Sequence, residues 1–161
     1  SRGLGDVYKR QVLSAGLTNQ SRSIANMKNS NVTKTILIFS GLIASVIGGA
    51  IVFDPVVFYA TYDIELAGNI SLFNEIRAPG GALLASGILI MLGAFVDKLT
   101  FTSVVVSTLL YLSYGLSRIL SMTIDGMPAE GLVQAAALEI VIGLVCVFVF
   151  VKYRENQKAC A

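Results

Sequence analysis

Polar and apolar residues separate along this chain into four long apolar runs: Thr35 to Phe53, Ala78 to Val96, Phe101 to Ile124 and Ala129 to Val151. A helix rises about 1.5 Å per residue, so about 20 apolar residues cross a hydrocarbon core of about 30 Å. The pattern predicts an all-α fold, a four-transmembrane-helix bundle with spans near 35–53, 78–96, 101–124 and 129–151. A short polar break at Asp97-Lys98 predicts a helical hairpin from the second and third spans. Gly126-Met127-Pro128 separates the third span from the fourth. After Asp54-Pro55, the stretch to Ile76 reads as a long outer connection that carries Asp54, Asp63, Glu65 and Glu75 but no Lys or Arg. Its Val56-Val57-Phe58-Tyr59 and Tyr62 suit the membrane interface, where tyrosine is enriched.

Within the runs, small residues fall at helical spacing. Gly41, Ser45 and Gly49 repeat every four residues, with Ala44 and Gly48 beside them. Two offset rows follow in the second run: Gly81, Ala85, Gly93 and Ala82, Ser86, Ala94. Such rows let helices approach closely in lipid. Pro79 fits the first turn of the second helix, where its missing N–H costs nothing, and Gly80 and Gly81 remove bulk at the same end. In the third run Ser107, Tyr111, Tyr114, Gly115, Arg118, Met122 and Asp125 share one face at 100° per residue. Val105, Leu109, Leu112, Leu116 and Leu120 lie opposite, toward lipid. In the fourth, Ala135, Glu139, Gly143 and Cys146 form a narrow face, so small residues flank Glu139.

Composition agrees with a lipid bilayer as the surroundings. Hydrophobic residues make up 55% of the 161, charged residues 14%, and mean hydropathy is +0.74. Soluble domains carry about 25% charged residues. A formal charge of +2 is too small to suggest nucleic acid. The absence of histidine removes histidine-ligated haem and the usual zinc and di-iron sites, so no metal and no cofactor is expected, a bound quinone excepted. Cys146 and Cys160 would lie about 20 Å apart on a continuous helix, too far for a disulfide. The first run lacks the A-x-A-like site of a signal peptide. Lys28, Lys34, Lys98, Lys152, Arg154 and Lys158 all fall on one side of a four-span arrangement, and the positive-inside rule places that side, with both termini, in the cytoplasm.

Residues 1–26 differ from the rest. They are polar, lack a helical apolar period and precede Met27. Asp6-Val7-Tyr8-Lys9-Arg10-Gln11 is what GATGTGTATAAGAGACAG encodes, which resembles a transposase adapter of sequencing libraries. A non-native or disordered leader is expected here, with the membrane domain over 27–161.

Three charges lie at or inside the apolar runs. Arg77 sits at the outer mouth of the second, Arg118 lies about six residues (roughly 9 Å) from the outer end of the third, and Glu139 about ten residues from that of the fourth. A lone charge at the centre of a span costs about 2.5–3.5 kcal/mol on insertion scales. Helices three and four are antiparallel neighbours, so Arg118 and Glu139 are placed to meet, with Tyr111 and Tyr114 as donors to Glu139. One reading is an outer-half pocket in which Arg77 and Arg118 receive an anionic or carbonyl group. The other is an ion pair that fixes helix register and binds nothing. The sequence holds no nucleophile–base pair, phosphate loop or metal cluster, which points to binding ahead of catalysis.

Arg77-Ala78-Pro79-Gly80-Gly81, Tyr111-Leu112-Ser113-Tyr114-Gly115-Leu116-Ser117-Arg118, Asp125-Gly126-Met127-Pro128 and Glu139 resemble a family of small bacterial four-helix membrane proteins known only as a domain of unknown function. The resemblance covers about Lys34 to Arg154 and implies a bacterial inner-membrane location. More loosely the architecture is similar to DoxX-like membrane proteins, some linked to quinone-dependent oxidation. The functional expectation is an outer-half pocket for a lipid headgroup, quinone or small anion, or a subunit of a larger membrane complex or homo-oligomer. The alternative is a membrane subunit of a quinone-linked oxidoreductase, with Glu139 transferring protons.

Overall fold

In a computed structural model of the chain, residues 31–66 and 68–160 are described, with side chains as far as 155; the leader over 1–26 lies outside them. Among the described residues five helices follow one another: α1 (Asn31–Phe53), α2 (Pro55–Ala60), α3 (Ile70–Phe95), α4 (Asp97–Asp125) and α5 (Glu130–Cys160). All but α2 are long and apolar enough to cross a membrane. The chain is a four-helix transmembrane bundle. Its outward surface suits lipid: Phe39, Val46, Leu109, Leu116, Val141 and Phe148 are each more than half exposed. A helix satisfies its backbone polar groups internally, which lipid demands.

The second span begins earlier than its apolar run. Asn69, not the region of Ala78, caps α3: its side-chain oxygen accepts from the amides of Ser71 (3.0 Å) and Leu72 (3.2 Å), satisfying donors that a helix start leaves orphaned. Pro79 therefore lies inside α3 and not in its first turn. Its ring removes a helical hydrogen bond to Glu75, a defect that membrane helices tolerate where neighbours pack around it. The hairpin is also tighter than Asp97-Lys98 suggests. Val96 alone separates α3 from α4, and its amide donates to Leu92 O at 2.8 Å. Two hydroxyls of α4 stitch the hairpin: Thr100 donates to Gly93 O and Ser103 to Leu89 O, both at 2.8 Å.

Glycines set the helix contacts. A methyl group added to Gly48 or Gly87 would come within 3 Å of backbone atoms of the facing helix, Leu84 and Gly80 for the first, Ser45 and Gly41 for the second. The close contact of α1 with α3 thus runs through Gly41, Gly48, Gly80 and Gly87. Gly49 and Gly81 would meet nothing, so neither belongs to that seam, although both are small and correctly spaced. On the other side α4 and α5 exchange glycines. Gly115 receives the Ile140 side chain, and Gly143 receives Leu112, so Leu112 faces a helix and not lipid.

Two apolar clusters fill the interior. Near one end are Leu37, Ile90, Ala94, Val104 and Val149. Near the other are Ala44, Ile51, Leu83 and Tyr111, with Phe58, Tyr59 and Ile76 packed against them. This second end lies under α2. Asp54 caps α2 by accepting from Val57 N at 3.2 Å, and Pro55 occupies its first turn. Charge divides the same way. Lys34, Lys98, Lys152 and Arg154 belong to the end opposite α2, where Lys34 approaches Asp97 at 3.9 Å. That contact is exposed and contributes little.

Candidate functional site

Beneath α2 the bundle leaves a cavity of about 340 Å³, within the range of small-molecule sites. Its walls are mainly aliphatic: Ile43, Ile47 and Ile51 of α1, Leu83 of α3, Leu110 of α4, Leu132 and Leu138 of α5. Pro79 and Gly80 lie along the α3 wall. A methyl group on Gly80 would strike Ile51, so the glycine keeps α1 close at this point. Phe58, Tyr59 and Tyr62 close the cavity from α2 and the turn after it. They brace one another edge to face, with Phe58 5.4 Å from Tyr59 and 5.6 Å from Tyr62 between ring centres. Tyr62 also rests on Gly131 at the start of α5, where a side chain would displace the ring.

Arg118 and Glu139 meet in this cavity. Arg118 Nε donates to Glu139 Oε2 at 2.9 Å and to Oε1 at 3.2 Å. The helical period explains the meeting. Glu139 follows the face of α5 that carries Ala135 and Gly143, and Arg118 is one turn past Gly115 on α4. The glycine contacts Gly115–Ile140 and Gly143–Leu112 hold the two helices close just beside the pair. The Glu139 side chain is mostly covered and the Arg118 side chain about one-third exposed. Among the described residues, the Arg118 terminal nitrogens Nη1 and Nη2 have no hydrogen-bond partner.

The other polar residues divide. Tyr111 is buried and lines the cavity, but its hydroxyl donates to Ser40 O on α1 and not to Glu139. It ties α4 to α1. Tyr114 lines the cavity near the pair, and its hydroxyl makes no hydrogen bond among the described residues. Arg77 does not reach the cavity. Its Nε donates to Val52 O at 3.1 Å and its guanidinium lies over the Phe73 ring at 5.7 Å. Pro79 lies inside α3, so Arg77 is on an exposed helical turn and not at a helix mouth, and it bonds the end of α1. Asp125 is also outside, accepting from Ser121 Oγ at 2.9 Å at the exposed end of α4.

Tyr59 and Tyr62 belong to the site although the apolar runs do not point to them. A signal existed: Asp54-Pro55 is a cap followed by a first-turn proline, and aromatic residues follow at helical spacing. Burial pushes the Tyr59 phenol above its ordinary value of 10.0, the nearby Arg118 charge opposes that shift, and Tyr114 and Tyr62 add to it. Its hydroxyl is therefore neutral at physiological pH. Chemically, the cavity offers apolar walls, unpaired guanidinium donors and phenol hydroxyls. That set can hold and orient an acceptor oxygen. Among the described residues that line it there is no paired nucleophile and base.

A family model described as a domain of unknown function (DUF4345) matches residues 32–150, well over half of the chain. No curated protein and no solved structure matches it.

Proposed function

The chain belongs to the DUF4345 family, and we propose that it is a membrane binding module whose cavity takes up a lipid headgroup, quinone or small anion. One observation carries the reading: Arg118, whose Nη1 and Nη2 have no hydrogen-bond partner among the described residues, lines an apolar cavity of about 340 Å³. A pair that served helix register alone would be enclosed by close-packed side chains, as protein interiors are. Here space for a ligand adjoins it.

The same reading includes an orientation. Lys34, Lys98, Lys152 and Arg154 gather at the end away from α2, which supports cytoplasmic termini in a bacterial inner membrane. The cavity would then open in the outer half, reachable from the outer leaflet. The test is native mass spectrometry of the chain purified in mild detergent. A small-molecule or lipid adduct that survives transfer to the gas phase is expected. A population wholly without adduct, from membranes and in several mild detergents, would contradict the reading.

A further inference from the structure

We infer that the cavity selects an uncharged carbonyl ligand, a ketone or an ester, over a carboxylate of the same shape. This rests on the proposed binding role and narrows its ligand class.

The argument is a charge balance. Among the described residues, no charged side chain apart from the Arg118–Glu139 pair lines the cavity. Arg77, the other cation at this end of the bundle among the described residues, is engaged with Val52 and Phe73 outside it. The pair is in direct contact at 2.9 Å, and with both groups ionised its net charge is zero. An anion entering this low-dielectric space would lose its hydration. It would gain one guanidinium but would also meet the carboxylate already bound there, and like charges in one site oppose each other. A neutral carbonyl oxygen has a smaller desolvation cost and accepts from the same Nη donors. The aliphatic walls from α1, α3 and α5 then cover the rest of the molecule. Tyr59, neutral at physiological pH, adds no charge that would alter the balance.

The full chain in lipid nanodiscs, dialysed at about pH 8 against three naphthalene probes, tests this. Acetylnaphthalene presents a ketone, methyl naphthoate an ester, and naphthoate a carboxylate, ionised at that pH. Empty nanodiscs subtract partition into lipid. The neutral probes should bind at least about tenfold more tightly than naphthoate, a difference of about 1.4 kcal/mol. The tighter of the two neutral probes indicates whether a ketone such as a quinone or a lipid ester is the better mimic. Glu139→Gln leaves Arg118 uncompensated and should shift the preference by about tenfold toward naphthoate, whereas Glu139→Asp should keep it. Equal or tighter binding of naphthoate by the wild type would overturn the inference while leaving the binding role standing. So would a Glu139→Gln variant that binds with the wild-type preference. If no probe binds above the empty discs, the binding role itself fails. Should Glu139→Gln not fold, the wild-type comparison decides alone.

Discussion

Arg118 Nε and Glu139 Oε2 lie 2.9 Å apart across the α4–α5 contact, at the wall of a cavity and not in a sealed core. This position determines how the two residues respond to mutation. Breaking a fully buried pair costs about 3–5 kcal/mol in soluble proteins; Arg118 remains about one-third exposed, so a smaller cost is expected here. Arg118→Leu leaves a carboxylate that can take up a proton. Glu139→Leu leaves a guanidinium that cannot lose one, its pKa staying above about 12. Glu139→Leu should therefore be the more destabilising, and the double Leu variant should recover much of that loss. Thermal unfolding of wild type, both single variants and the double in one detergent measures it. Strictly additive losses would mean the contact contributes nothing.

The glycines give a sharper contrast, because sequence spacing alone does not separate them. Gly48→Ala and Gly87→Ala each force a methyl group against facing backbone and should cost about 1–3 kcal/mol, as overpacking does. Gly49→Ala and Gly81→Ala meet nothing. They should be neutral, or stabilising by up to about 1 kcal/mol from helix propensity. Unfolding midpoints of the four variants in one detergent check the order.

How far the sequence reveals this fold follows from the same residues. The four spans are legible because length and apolarity alone make a helix membrane-spanning. The inward face of α4 is legible because Tyr111, Gly115 and Arg118 recur at the helical period. The start of α3 is not. Proline is favoured in the first turn of any helix, yet it is also tolerated inside membrane helices, and Pro79 takes the second option. The stretch to Ile76 reads as an outer connection, while the informative residue is Asn69, whose side chain caps the helix. Arg77 is misleading for the same reason: its partner, Val52 O, is a backbone atom at the end of another helix, which side-chain pattern cannot reveal. Tyr59 and Tyr62 are legible only through the Asp54-Pro55 cap and the aromatic spacing after it, because α2, at 6 residues, is too short to stand out as an apolar run.

Alkaline pH should loosen the cap over the cavity. The folded-state pKa of Tyr59 is raised, chiefly by burial. A raised pKa contributes stability that is full below the unfolded value, about 10, and is lost as pH rises through the folded value. Thermal stability should therefore fall above about pH 10, and Tyr59→Phe should show a smaller fall. An identical alkaline profile for the two proteins would remove Tyr59 from the account.

Orientation has a direct readout in the two cysteines. Cys146 is buried, and Cys160 belongs to the last turn of α5, beyond the basic residues Lys152 and Arg154. An impermeant thiol reagent should label neither in intact cells, and opening the inner membrane should expose Cys160 alone. Labelling of Cys160 from outside would invert the proposed orientation.

The central claim is that the cavity is a binding site, and filling it tests that claim most directly. Ala135 lines the cavity one turn from Glu139, and Ala135→Phe would place a ring in the space. Native mass spectra of wild type and Ala135→Phe, purified side by side in the same mild detergent, give the comparison. The account predicts a small-molecule adduct on the wild type that is lost, or falls by at least about tenfold in occupancy, on a variant whose thermal stability is retained. An adduct of equal mass and occupancy on both folded proteins would contradict it.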